Sequence, residues 1–168
     1  SPSGWGWSAI TTYYGILTDQ FLDPHLKIWN YDPSCRKPAM LSDVARVPLK
    51  PFPGTIGLAP GRDGVHPSLP PYRTGGNLDV RDLSAGSVLY LPVEVDGGLL
   101  SVGDTHAAQG QGELAGTAIE SPMKVALKVE LVKEANLAGP YFVTNGPTAR
   151  HLDSKGYLVT CGVARSLI

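Results

Sequence analysis

The sequence predicts a mainly β fold: an antiparallel β-sandwich of jelly-roll type, with a barrel as the alternative closure, long Pro/Gly-rich loops and little helix. Three observations carry that expectation. The chain has 20 glycines and 15 prolines among its 168 residues, far above the usual share of about 12%, which suits many short strands joined by turns and disfavours a helical bundle. Met123 to Lys133 alternates strictly, with Val125, Leu127, Val129 and Leu131 on one side and Lys124, Lys128 and Glu130 on the other, the pattern of a half-exposed antiparallel strand. Short runs rich in β-branched and aromatic residues recur along the chain between turn signals, as strands require.

Taken in order, Gly4 to Leu17 holds Trp5, Trp7, Tyr13 and Tyr14 among β-formers and predicts one or two strands. Asp23-Pro24 turns the chain, and Leu26 to Trp29 alternates like a short strand. The prolines of Val47 to Gly54 rule out a helix and a central strand, so that stretch reads as an ordered loop, with a strand at Thr55 to Ala59. Thr74 to Leu83 opens on two glycines followed by Asn77 and Asp79, a sharp turn. Gly86 to Val95 (GSVLYLPVEV) is the strongest strand pattern, with Pro92 marking an edge or bulge, and Asp96-Gly97 is a hairpin signal. Leu99 to Val102 leads into the next stretch as a strand, and Leu114 to Ile119 leads out of it. Tyr141 to Thr144 and Gly156 to Val163 complete the set, with His151 and Asp153 in a solvated loop.

Several classes are excluded by composition. A net charge of −1 leaves no electrostatic footprint for nucleic acid or an anionic membrane. No apolar run approaches the roughly 20 residues of a spanning helix. Cys35 and Cys161 lie far apart and in no metal-binding spacing, so they read as free thiols, consistent with a reducing, cytoplasmic setting. The chain begins Ser1-Pro2-Ser3 and ends on the apolar Leu167-Ile168. Residues 1–168 are therefore expected to form a single β-rich domain that is a fragment or processed piece of a longer chain, partnered by the missing N- and C-terminal segments or by further copies of itself.

The densest chemistry lies in Gly103-Asp104-Thr105-His106-Ala107-Ala108-Gln109-Gly110-Gln111-Gly112-Glu113. On an extended backbone Asp104 and His106 leave one face of the strand, about 6–7 Å apart at Cα, close enough to share one metal ion or one small substrate. Gly110 and Gly112 permit the chain to double back, returning Glu113 or Glu120 to the same place. The alternative is a hairpin with solvated polar residues. Separately, Trp5, Trp7 and Tyr13 would serve a non-catalytic binding module as a stacking platform if their rings are exposed, whereas packing in a core leaves them buried.

The run from Gly103 to Gly110, Gly112-Glu113 and Gly116-Thr117-Ala118-Ile119-Glu120 resembles the acetamidase/formamidase family of amide hydrolases. Pro51-Phe52-Pro53-Gly54-Thr55-Ile56-Gly57, Gly75-Gly76-Asn77-Leu78-Asp79-Val80-Arg81 and the opening Trp5-Gly6-Trp7 match the same family in the same order. Gln111 stands where the family commonly has an acid, and Leu114-Ala115 replaces a more usual Val-Cys pair. The resemblance covers only the middle of the usual family length. It implies a jelly-roll-like β-sandwich that hydrolyses formamide, acetamide or a related carboxamide to the acid and ammonia, with zinc in some relatives.

No Gly-x-Ser-x-Gly elbow is present, and neither cysteine has the neighbourhood of a nucleophile, which leaves metal-activated water as the expected chemistry. Asp104, His106 and Glu113 are the expected ligands of a divalent metal, with Glu120 the alternative to Glu113. Zinc is the first choice, and manganese or iron also suit one imidazole with two carboxylates. The remaining glutamate, Glu120 in the preferred assignment, is the expected general base. Asn77 is the expected oxyanion donor, and Gln109, Gly110 and Gly112 are placed against the substrate.

Overall fold

A computed structural model describes residues 1–146 and 155–164; His151, Asp153 and Leu167-Ile168 lie outside the described residues. Among those described there are eleven strands and no helix, and the strands pair antiparallel in seven pairings, so the fold is mainly β as the sequence predicts. The chain divides into two compact units. The first comprises Ser1–Phe52 and Asp104–Ala126, and the second Pro53–Gly103 and the chain from Leu127 onward.

In the first unit, β1 (Trp5–Ile10) and β2 (His25–Asn30) form a six-residue ribbon from Trp5 opposite Asn30 to Ile10 opposite His25. The other side of β1 takes β9 (Ile119–Glu120), with Trp7 opposite Glu120. β9 in turn pairs with β8 (Ser101–Ala108), whose residues from Asp104 onward belong to this unit. A small hairpin, β3 (Ala39–Met40) with β4 (Arg46–Val47), lies apart from that sheet. Trp29, Ala39, Ala107, Ala108 and Ile119 make the core, with Leu49 and Met123 against it. Trp29 can be buried because its indole N–H donates to Ser8 Oγ at 2.9 Å.

The second unit is built on β5 (Phe52–Gly57), which starts within the first, hairpinned to β6 (Gly75–Asn77), and on a three-stranded sheet of β7 (Val88–Tyr90), β10 (Tyr141–Val143) and β11 (Leu158–Thr160). Its core is Ile56, Leu83 and Phe142, flanked by Leu89 and Val159.

Four expectations of local structure are corrected. The stretch from Val47 to Gly54 is not all loop: Val47 belongs to β4, and β5 already begins at Phe52 with Pro53 inside it. Proline is tolerated there because the ladder to β6 uses only Thr55, Ile56 and Gly57, so the missing N–H of Pro53 leaves that pairing intact. The run from Gly86 to Val95 shrinks to the three residues of β7, since pairing with β10 ends at Tyr90 and Pro92 lies just beyond. Leu114 to Ala118 is turn and irregular chain, with only Ile119 and Glu120 in a strand. Finally, Met123 to Lys133 forms no strand beyond an isolated bridge from Met123 to Pro2. Alternation marks which side chains share a side, but a strand also needs a neighbour; Lys124 exchanges backbone hydrogen bonds with Ser1, and among the described residues no strand pairs with 125–132.

The rings at the start of the chain are exposed rather than packed: Trp5 45%, Trp7 36% and Tyr13 93%. Trp5 and Trp7 share one face of the β1–β2 ribbon with Leu26 and Ile28, both also exposed. Tyr13 lies outside the ribbon, in a turn. No helix among the described residues is long and apolar enough to cross a membrane.

Candidate functional site

The site grows from one cross-strand pair. His106 on β8 lies directly opposite Glu120 on β9, and residues facing each other across an antiparallel ladder project from the same side of the sheet. The Glu120 carboxylate therefore reaches the imidazole, with Oε2 3.1 Å from His106 Nε2. Its other oxygen, Oε1, accepts the Ala118 N–H at 2.9 Å, which holds the carboxylate in place.

Asp104, two residues before His106, brings Oδ1 to 3.3 Å from the same Nε2. The strand is not regular here. Asp104 has a φ of +48°, and a register shift separates His106 from Ala108, the signature of a bulge, which re-aims side chains. This explains why Asp104 stays largely exposed while His106 is 1% exposed, although a flat strand would give i and i+2 similar burial.

Glu113 arrives through the glycine bend. Gly112 takes a φ of +74° and Glu113 itself +45°, and the turn is closed by Glu113 N–H to Gly110 O and Gly116 N–H to Glu113 O. One ligand atom from each of His106, Glu113 and Glu120 then lies within 4.8 Å of the others. Gly110 has open space where a Cβ would stand.

The imidazole is fixed on its remaining sides. His106 Nδ1 lies 2.9 Å from Gln109 Oε1, and Phe52 meets the ring edge-on, with centroids 5.1 Å apart and planes at 85°. Neither contact is foreseen by the sequence reading. Gln109, three residues after His106 and one past the end of β8, is close enough in sequence to have signalled its contact; Phe52, more than fifty residues away, offers no such signal.

Burial alone depresses the basicity of this imidazole, but hydrogen bonds and negative charge from Asp104 and Glu120 override it, pushing its pKa up to about 10. The cluster thus favours positive charge at Nε2. A buried nitrogen ringed by carboxylate oxygens is also the donor set of zinc, manganese or iron centres, so these residues fit a divalent cation in both chemistry and field.

Asn77 lies in the second unit and is occupied at both ends of its amide. Oδ1 accepts from Thr55 Oγ1 at 2.9 Å, and Nδ2 donates to Leu69 O at 2.8 Å.

An antiparallel β chain here gathers an imidazole among carboxylates, a set of side chains that could hold a metal ion. The comparisons give the family: residues 64–166 match the Acetamidase/Formamidase family, and the chain belongs to it. It is 30% identical over 195 residues to an acetamidase of Mycolicibacterium smegmatis, covering 86% of this chain and 47% of that protein. It is 35% identical over 102 residues to a formamidase of Methylophilus methylotrophus, covering 58% of this chain and 24% of that one. The crystal structure of a recombinant predicted acetamidase/formamidase from Thermoanaerobacter tengcongensis superposes with a TM-score of 0.77 at 31% identity, over 85% of this chain and 46% of the other. The chain thus spans half or less of the length of these relatives.

Proposed function

We propose that this chain carries the catalytic centre of an amide hydrolase that converts a small linear carboxamide of the formamide or acetamide type, with water, to the carboxylate and ammonia. The observation that carries the reading is His106 Nε2 held at 3.3 and 3.1 Å from the carboxylates of Asp104 and Glu120, with Glu113 folded back to His106 and Glu120, in a chain of the acetamidase/formamidase family.

An amide is a weak electrophile with a poor leaving group, so the site must activate water, steady the charge that develops on the carbonyl oxygen and protonate the departing nitrogen. Asp104, His106 and Glu113 would hold a divalent metal, zinc first and manganese or iron as alternatives. Zinc bound there supplies a Lewis acid that acidifies water and polarises the carbonyl. Glu120 is the proton carrier: Oε2 takes a proton from water as the C–O bond forms and delivers it to nitrogen as the C–N bond breaks, while the bond from Ala118 N–H to Oε1 keeps the carboxylate aimed. Backbone N–H groups of the Gly110–Gly112 bend line the substrate. An oxyanion role for Asn77 would fall to the second Nδ2 hydrogen, the first being donated to Leu69 O.

Asp104→Asn and His106→Ala should each abolish ammonia release from formamide and acetamide in the complete polypeptide that contains these residues, with the circular dichroism unchanged. Near-normal release from either variant retires the site. Protein purified without chelator should contain stoichiometric zinc; absence of any transition metal retires the metal and leaves an acid–base scheme.

The exposure of Trp5 and Trp7 favours a second reading, a non-catalytic module that binds ligands on that face. It predicts tryptophan fluorescence that responds to added carbohydrate and no ammonia release.

A further inference from the structure

We propose that Gln109 is a positioning residue whose side-chain oxygen selects the His106 tautomer with Nε2 open to a metal. The inference rests on the metal reading given above and assigns to Gln109 a task different from contact with substrate.

The ring is almost wholly enclosed, and Nδ1 faces Gln109 Oε1 at 2.9 Å. An amide oxygen can only accept, so Nδ1 must carry the proton. A neutral imidazole has one N–H, and with it fixed at Nδ1 the lone pair is at Nε2, the nitrogen that points to Asp104 and Glu120. Turning the amide over would put its NH2 against Nδ1, move the proton to Nε2 and remove the ligand. Phe52, edge-on to the ring, restricts the tilt that would otherwise let the imidazole escape this choice.

The chemical type of residue 109 also follows. A carboxylate would accept from Nδ1 equally well, but it would add a further negative charge to a cluster that already holds Asp104, Glu113 and Glu120. Glutamine provides the acceptor without the charge. Partners of this kind commonly change metal affinity about 10–100-fold when removed.

The test is zinc affinity, measured by competition with a chromogenic chelator in the complete polypeptide, for the wild type, Gln109→Leu and Gln109→Glu. Gln109→Leu keeps much of the bulk and removes the acceptor, and its zinc Kd should weaken about 10–100-fold. Gln109→Glu keeps the acceptor and should stay within about tenfold of wild type. A wild-type Kd for Gln109→Leu, or an equal loss in both variants, overturns the inference while leaving the metal reading intact. Failure of the wild type to bind zinc sinks both. The nitrogen NMR signals of His106 in the zinc-loaded wild type read the tautomer without any substitution. A proton on Nδ1 supports the assignment, and a metal-bound Nδ1 overturns it even if Gln109→Leu does not fold.

Discussion

Raising the pH should destabilise the metal-free protein in a range where most proteins are indifferent. In the folded chain the imidazole of His106 is pushed up to about 10, against an ordinary value of 6.5, by the hydrogen bonds and charge of Asp104 and Glu120 acting over the opposing effect of burial. A group whose folded pKa is raised lends its full stabilisation below the unfolded value and loses it as the pH climbs to the folded one. Between those limits the native state holds about one proton more than the unfolded chain, so unfolding free energy falls by about 1.4 kcal/mol per pH unit. From pH 7 to 8.5 the loss should be about 2 kcal/mol. Both Cys35 and Cys161 are raised by burial. Their unfolded thiols are about half ionised at pH 8.5, and stopping there limits the share of each to about 0.4 kcal/mol. Urea unfolding of chelator-treated protein at half-unit intervals measures the slope. Glu120→Gln, which removes one of the two carboxylates at Nε2, should flatten it. Saturating zinc should reverse it, because the metal displaces the proton and its affinity rises with pH. A flat profile in the wild type, or an undiminished slope in Glu120→Gln, would refute the account of His106.

Other perturbations probe the scaffold. A Cβ at Gly57 would stand 2.3 Å from Gly76 N and 2.8 Å from Gly75 C. Because backbone cannot yield as a side-chain tip can, Gly57→Ala should lower the thermal midpoint sharply or prevent folding; an unchanged midpoint would contradict the β5–β6 pairing. Asn77→Ala removes the bonds to Thr55 and Leu69 and should cost about 1–3 kcal/mol in urea unfolding; if ammonia release per folded molecule is unaffected, the oxyanion role is dismissed. Phe142 is fully enclosed, so Phe142→Ala should cost about 3–5 kcal/mol, seen as a lower urea midpoint.

The gathering of acids at His106 was legible because its causes are local. Asp104 and His106 are two positions apart, and Gly112 sits where the backbone needs a positive φ to return Glu113. Glu120 was named without its position opposite His106, since a pairing register is a property of two strands and not of either one. The same limit explains the errors. GSVLYLPVEV carries every intrinsic mark of a strand, yet only Val88–Tyr90 finds a neighbour in β10. The converse holds for Ala39–Met40 and Arg46–Val47, too short to stand out by composition but paired across a tight loop. What the sequence left open at Trp5 and Trp7 was of another kind. Large rings are usually buried for their hydrophobic area, but alternation in β1 sends Trp5 and Trp7 to the side opposite Gly6 and Ser8, and Ser8 is the one that holds buried Trp29.

Asp104 and Glu113 both occupy left-handed backbone, at φ +48° and +45°, where a side chain costs about 1 kcal/mol relative to glycine. Substituting glycine at Glu113 should therefore yield a tougher protein with a poorer grip on cations, whereas at Asp104 the relief is opposed by the lost hydrogen bond and charge at His106. Thermal resilience and chemical competence thus pull against each other at Glu113, the joint where a selection for heat tolerance alone would be expected to act first.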